Sequence, residues 1–278
     1  MSVSFPTIPL WWREAVTHFL DDADFSTAER RVAELAARLD VTPLEVLTGG
    51  RISLTVRCSG EMVLKGALDE RPLRGEAEAL GSIPDAPRVL AVEEYAYAME
   101  ELTHSGDISL EDLRRAFTRV ASVPPPPQAA PLSKQIEGRI KSFSKERADL
   151  TNYGELRGPA GDALRKLSLT GGREALLHGD PHRENMIPTS RGPVLIDPML
   201  ARGDHLFDPA LFIACGMHGP IDWLELLEFF ADGLSPDERA RFERWVVALT
   251  VIESRPESDK AEDTEARERV VRVLGYRL

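Results

Sequence analysis

Between residues 176 and 198 the chain reads LLHGDPHRENMIPTSRGPVLIDP, an order of residue types that few backbones accommodate. The apolar pair Leu176-Leu177 runs into a polar loop, Met186-Ile187 turns apolar again, Ser190-Arg191-Gly192 supplies turn chemistry, and Val194 to Ile196 form an apolar strand ending on Asp197. Strands folded back in this way bring a loop carboxylate (Asp180), a loop amide (Asn185) and a strand-end carboxylate (Asp197) toward one another.

The surrounding chain changes character at its middle. Residues 11 to 39 carry two helical patterns that exit at Asp40 to Pro43. In GGRISLTVRCSGEMVLKGAL, Ile52, Leu54 and Val56 alternate, Ser59-Gly60 offers a turn, and Met62 to Lys65 resume as a second strand. A short Glu- and Ala-rich helix is expected over 71–82, with strands at 88–92 and 95–99, which makes a small α+β region. Beyond Leu102 the run THSGD is a connector, and Ser109 opens a helix that stops before prolines 124 to 127, read as a stiff loop. Helices are expected over 133–150 and about 160–169, and another in the 260s. Ser235-Pro236-Asp237-Glu238 combines an N-cap, a first-turn proline and a capping-box glutamate for a helix reaching about Glu253. The second half is therefore read as mainly helical with one strand-rich insertion at 176–199.

With 278 residues and 42% hydrophobic content the chain can bury a sizeable core. Its net charge of −12 argues against nucleic acid or an anionic membrane as the main partner and leaves a cationic small molecule electrostatically welcome. Cys58 and Cys215 have no metal-type spacing, no basic leader opens the chain, and no stretch has the roughly 18 apolar residues of a membrane helix. The expectation is a soluble, unexported, cytoplasmic protein of unstated oligomeric state.

The carboxylate, amide, carboxylate trio suits phosphoryl transfer, whose loose transition state is stabilised mainly by positioning and charge neutralisation. The spacing His-x-Asp-x4-Asn followed by Ile-Asp-Pro resembles the signature of aminoglycoside phosphotransferases and the related choline and fructosamine kinases. PVLIDPMLARGDHLFDPALFIA and SPDERARFERWVVALTVIES are similar to stretches of the streptomycin-6-kinase and hydroxyurea-resistance branch. GGRISLTV, VLKG, EAEAL and AMEEL follow in the family's order upstream, so the likeness spans about residues 45–255 and is strongest at 176–214. It implies an α+β, protein-kinase-like two-lobe fold. A small N-terminal ATP-binding lobe with an antiparallel sheet would occupy 1–101, and a larger, mainly helical catalytic and substrate-binding lobe 102–278.

By the same resemblance Asp180 would orient and deprotonate the acceptor hydroxyl, while Asn185 and Asp197 would hold Mg²⁺. Lys65 would grip the phosphates and pair with Glu76, Glu78 being the other candidate. Val63, on the Lys65 face of its strand, would cap the adenine, and backbone groups near Glu100 and Leu102 in a hinge at 99–102 would bond it. ATP is the expected donor, GTP a possible one. His178 and Asp208 are read as braces of the loop rather than as reacting groups. Outside the resemblance, Lys65 could be solvent-facing, and Asp180 and Asn185 could be loop caps. The chain also departs from the pattern. It lacks a GxGxxG loop, for which GGRIS is a weak substitute, it has Pro181 where leucine is common, and Gly179 replaces the arginine of protein kinases, which implies a constitutively active enzyme.

The implied reaction is ATP-dependent phosphorylation of a hydroxyl on an aminoglycoside or basic peptide antibiotic, with a housekeeping sugar or amino-sugar kinase as the alternative. Acidic stretches at 222–228 and 253–265 are candidate acceptor contacts. Two remoter readings remain. One is a nucleotide-binding pseudokinase, against which stand Lys65, Asp180, Asn185 and Asp197. The other is a metallophosphoesterase built on His178, Asp180 and His182, which lacks the Gly-Asn-His block that family needs.

Overall fold

The computed structural model describes residues 5–20, 22–49, 52–145, 154–215, 223–254, 269 and 271–272. The chain divides into two compact units, Met1–Gly106 and Asp107–Leu278.

The first unit opens with helices α1 (Leu10–Phe19) and α2 (Phe25–Arg38), the latter capped by the Asp24 carboxylate, which accepts from the Thr27 amide. Strands β1 (Pro43–Leu47), β2 (Ser53–Cys58), β3 (Met62–Ala67), β4 (Val89–Val92) and β5 (Ala96–Glu100) form one antiparallel sheet in the order β1-β2-β3-β5-β4. Helix α3 (Arg74–Leu80) lies between β3 and β4 in the chain.

Period-two alternation sorts the side chains of this sheet onto two faces. One face buries Leu54, Val56 and Leu64 against Trp12 and Val16 of α1 and Val32 and Leu35 of α2. Each such side chain contributes roughly 1.5–3 kcal/mol. The other face gathers Val63, Ala67, Tyr97 and Met99 with Ala77 and Leu80 of α3. At Gly66 α2 packs closely on β3. A Cβ there would lie 2.9 Å from a Val32 methyl and 3.0 Å from the Ala28 carbonyl oxygen.

The expected strand pairs are present, but β1 was not foreseen. PLEVL opens with proline and lacks alternation, as an edge strand with only β2 beside it can.

The second unit contains α4 (Leu110–Ser122), β6 (Ala130–Pro131), α5 (Leu132–Lys145), α6 (Arg157–Leu169), β7 (Glu174–Leu177), β8 (Met186–Thr189), β9 (Gly192–Leu195), β10 (Ala201–Asp204), α7 (Phe207–Ala214), α8 (Trp223–Ala231) and α9 (Pro236–Glu253). The predicted capping box of Ser235 with Glu238 forms on α9, and Ser109, expected to open α4, forms a second one with Asp112. Helix α9 packs against α6 and α7, where the Trp245 and Phe207 rings meet edge to face at 5.3 Å.

Strands β8 and β9 form the foreseen hairpin, while β10 lies between β6 and β7. Ala-Arg-Gly-Asp has no apolar alternation, so β10 owes its place to backbone pairing on both edges rather than to side-chain pattern. Helix α7 is buried at every position and so shows no amphipathic period. The helix expected in the 260s, the GGRIS segment at Gly50 and Arg51, and most of the acidic stretch at 253–265 lie outside the described residues. Among the described residues no helix is long and apolar enough to cross a membrane.

Candidate active site

In the first unit Lys65 sits mid-strand on β3, on the same face as Val63, and is buried with 3% of its side chain exposed. Burying an unpaired ammonium would be prohibitive, and Glu76 of α3 compensates it with Oε1 2.7 Å from Nζ. The phenol of Tyr97, directly across the β3–β5 ladder from Lys65, donates to the same Glu76 oxygen at 2.7 Å. Tyr97 was missed by sequence reasoning; its position opposite Lys65 becomes visible only once the register is known. Glu78, the other candidate partner, is exposed.

Val63 lies opposite Met99. Just beyond, the Glu100 amide donates to the Arg88 carbonyl at 3.0 Å and the Glu101 amide to the Glu61 carbonyl at 2.7 Å. Successive backbone groups of an extended strand point to opposite sides. Glu100 therefore turns its backbone groups away from β3. Among the described residues the Leu102 amide finds no backbone partner.

In the second unit the loop after β7 is tied down atom by atom. Asp208, at the start of α7 and 3% exposed, accepts the His178 amide at 2.7 Å and the Gly179 amide at 3.0 Å. Burial pushes its carboxyl up to about 6, against the pull of those two amides. The fully buried His178 ring has its Nε2 2.9 Å from the Ile196 carbonyl, and its Nδ1 accepts the Asp180 amide at 3.3 Å. A carbonyl can only accept, so Nε2 carries the proton and Nδ1 is the acceptor. Burial lowers the ring to about 4, so at neutral pH it is neutral and held in that tautomer. Both ring nitrogens are thus committed, and the metal cluster of the phosphoesterase reading is not formed. Among the described residues no group of three His, Cys, Asp or Glu side chains is arranged to hold a metal.

Gly179 has φ +82°, and a Cβ there would overlap the Met199 carbonyl oxygen, so the position that distinguishes this chain from protein kinases admits no side chain. Asp180 follows. Its Oδ1 accepts from Arg139 Nη2 at 3.0 Å, and its Oδ2 lies 3.4 Å from both His182 Nε2 and Asn185 Nδ2. Burial would raise its carboxyl, but the His182 contact and the Arg139 charge outweigh that and hold it well below the usual carboxylate range.

Asn185 is buried, and its Nδ2 donates to the Asp180 carbonyl at 3.0 Å. That bond fixes which end of the amide is left over: the oxygen. The Ile196 amide donates to the Asn185 carbonyl at 2.9 Å, so the hairpin carries Asp197 to the same end as Asn185. Asp197 has φ +55°, a left-handed conformation that Asp40, Glu61 and Asp85 also adopt. An amide oxygen and a carboxylate are the hard donors that Mg²⁺ takes, usually with waters and phosphates completing its shell. The pair fits that ion.

The structure thus brings Lys65 to Glu76 in the first unit, and Asp180, Asn185 and the end of β9 together in the second. The acidic acceptor candidates fare differently. Glu253 is turned inward to Arg139 at 2.7 Å, Glu228 pairs with Arg239 at 2.5 Å, and Asp222 lies outside the described residues. Arg139, which sequence reasoning missed, has no local signature, being one of several cations on α5.

No family model matches the chain, and no curated protein matches it in sequence. Solved structures do. It is similar to a choline/ethanolamine kinase family protein from Mesorhizobium loti, with 20% identity over 89% of this chain and 94% of that one and a TM-score of 0.59. Choline kinase LicA from Streptococcus pneumoniae shares 16% identity over 88% of this chain and 98% of its own, with a TM-score of 0.58. The ternary complex of streptomycin and ATP with APH(2″)-IIa shares 16% over 84% and 96%, with a TM-score of 0.57. At these identities the likeness is one of fold, and the fold is the α+β, protein-kinase-like two-lobe architecture, with an antiparallel sheet in the first unit and a mainly helical second unit.

Proposed function

We propose that this protein is a small-molecule kinase that transfers the γ-phosphoryl group of ATP to a hydroxyl. The observation that carries the reading is the loop in which Asn185 spends its amide nitrogen on the Asp180 carbonyl while the hairpin delivers a left-handed Asp197 to the same end. In this reading residues 1–101 bind the nucleotide and 102–278 carry the transfer chemistry and the acceptor. Lys65, held by Glu76, grips the phosphates. Val63 caps the adenine, with the Glu100 carbonyl and the Leu102 amide as its edge contacts.

Asp180 orients the acceptor hydroxyl. As the acceptor oxygen bonds to the γ-phosphorus and the bond to the β–γ bridging oxygen breaks, the hydroxyl proton passes to the Asp180 carboxylate and ADP leaves. Asn185 and Asp197 hold Mg²⁺, which when bound neutralises phosphate charge. The similar structures include a choline kinase and a complex with streptomycin. Together with the net charge of −12 they support a cationic acceptor, and we take an aminoglycoside or basic peptide antibiotic as the class.

A sugar or amino-sugar acceptor is the second reading. It is favoured by the burial of Glu253 against Arg139, which leaves that carboxylate closed to a substrate ammonium. A coupled ADP-release screen against basic antibiotics, choline, sugars and amino sugars, with ATP and GTP as donors and Asp180→Ala as control, separates these. A turned-over basic antibiotic supports the first acceptor class, and a neutral sugar the second.

A further inference from the structure

We infer that Arg139 is a positioning residue for phosphoryl transfer, aiming Asp180 from the opposite side of its loop; the inference rests on the kinase reading of Asp180. One guanidinium reaches three places. Nη2 donates to the Gly179 carbonyl at 2.8 Å and to Asp180 Oδ1 at 3.0 Å, and Nη1 donates to Glu253 Oε1 at 2.7 Å. It is nearly buried, with 11% of its side chain exposed.

The planar fork of arginine fixes directions that a lysine ammonium does not. Here it locks one carboxylate oxygen and the carbonyl preceding it into a single plane of donors. Asp180 Oδ2, left with two long contacts of 3.4 Å, is then the oxygen presented to the acceptor.

A second grip comes from the same helix. Gln135 and Arg139 are four residues apart on α5 and share one face of it. Gln135 Nε2 donates to the Met199 carbonyl, the group against which Gly179 is packed, two residues past Asp197. One turn of α5 therefore holds both the loop that carries Asp180 and the chain just beyond Asp197. Glu253, the last residue of α9, anchors the guanidinium from behind. Withdrawing three charges from water brings little net stability. What the arrangement supplies is a fixed orientation.

The test uses the full chain with Mg·ATP alone, reading slow ADP release with water as acceptor, together with amide hydrogen exchange across 179–185. Arg139→Gln is expected to lower kcat about 100-fold with KM for ATP within about twofold of wild type, as small misplacements of a reacting group do. Exchange in the loop rises, and Arg139→Lys recovers only part of kcat. Because Arg139→Gln leaves Glu253 without its cation, an Arg139→Gln/Glu253→Gln chain is measured in parallel and is expected to show the same kcat loss. Unchanged kcat in either folded variant, or a loss carried by KM, overturns the inference, as does full recovery by lysine. No ADP release from the wild type, either with water or with any acceptor of the screen above, overturns the kinase reading and this role with it, while the exchange data still report whether the clamp exists.

Discussion

Lys65 and Tyr97 face each other across the β3–β5 ladder and converge on one oxygen of Glu76, each at 2.7 Å. In the kinase reading lysine would supply the charge that meets a phosphate, while the Tyr97 hydroxyl orients the glutamate and its ring centroid lies 5.7 Å from Nζ. Lys65→Met is therefore expected to abolish the rise in Tm produced by Mg·ATP. Tyr97→Phe is expected to keep most of that rise while lowering stability by about 1 kcal/mol, the usual value of one hydrogen bond. Thermal shift with and without Mg·ATP, and urea unfolding, check both.

His178 gives a pH signature. Its ring is lowered by burial to about 4 from an ordinary 6.5, so the folded state favours the neutral form. That stability is fully present above pH 6.5 and is lost as pH falls through 6.5 toward 4, amounting to about 3 kcal/mol. Glutamine offers one donor and one acceptor without titrating. Asp208, with its carboxyl raised to about 6, contributes the opposite slope below pH 6. His178→Gln is therefore expected to make the urea-unfolding free energy rise relative to wild type on going from pH 7 to pH 5. Parallel slopes would remove His178 as the cause.

Asp208 meets two amides with two oxygens. Asparagine has one acceptor oxygen and would turn its NH₂ on the second amide, so Asp208→Asn is expected to cost about 1–3 kcal/mol despite its matching shape. An Asp208→Asn chain as stable as wild type in urea would show that the two amides do not depend on both oxygens.

Much of this was legible in the sequence where local chemistry dictates structure. Ser235, Pro236 and Glu238 announce α9, and the alternation from Leu54 to Val56 announces β2. The spacing of Asp180, Asn185 and Asp197 around a turn foretells the hairpin that gathers them. What stayed hidden depends on partners distant in the chain. Strand β10 has no pattern of its own, α7 is apolar on all sides, and Arg139 gains meaning only because α5 passes beside the loop and the end of α9. Glu253 shows the reverse error. Its acidity reads as a substrate contact in sequence, yet in the fold it is an internal counterion.

The central claim is that Asp180 serves phosphoryl transfer to a hydroxyl. Phosphorus NMR of wild type and Asp180→Asn with Mg·ATP and the acceptor found by ADP release tests it most directly. A new phosphate-ester resonance that grows with ADP in the wild type, and is lost or slowed at least about 100-fold in Asp180→Asn, is the predicted result. Phosphate released only as the free ion, or an ester formed at the wild-type rate by Asp180→Asn, would contradict it.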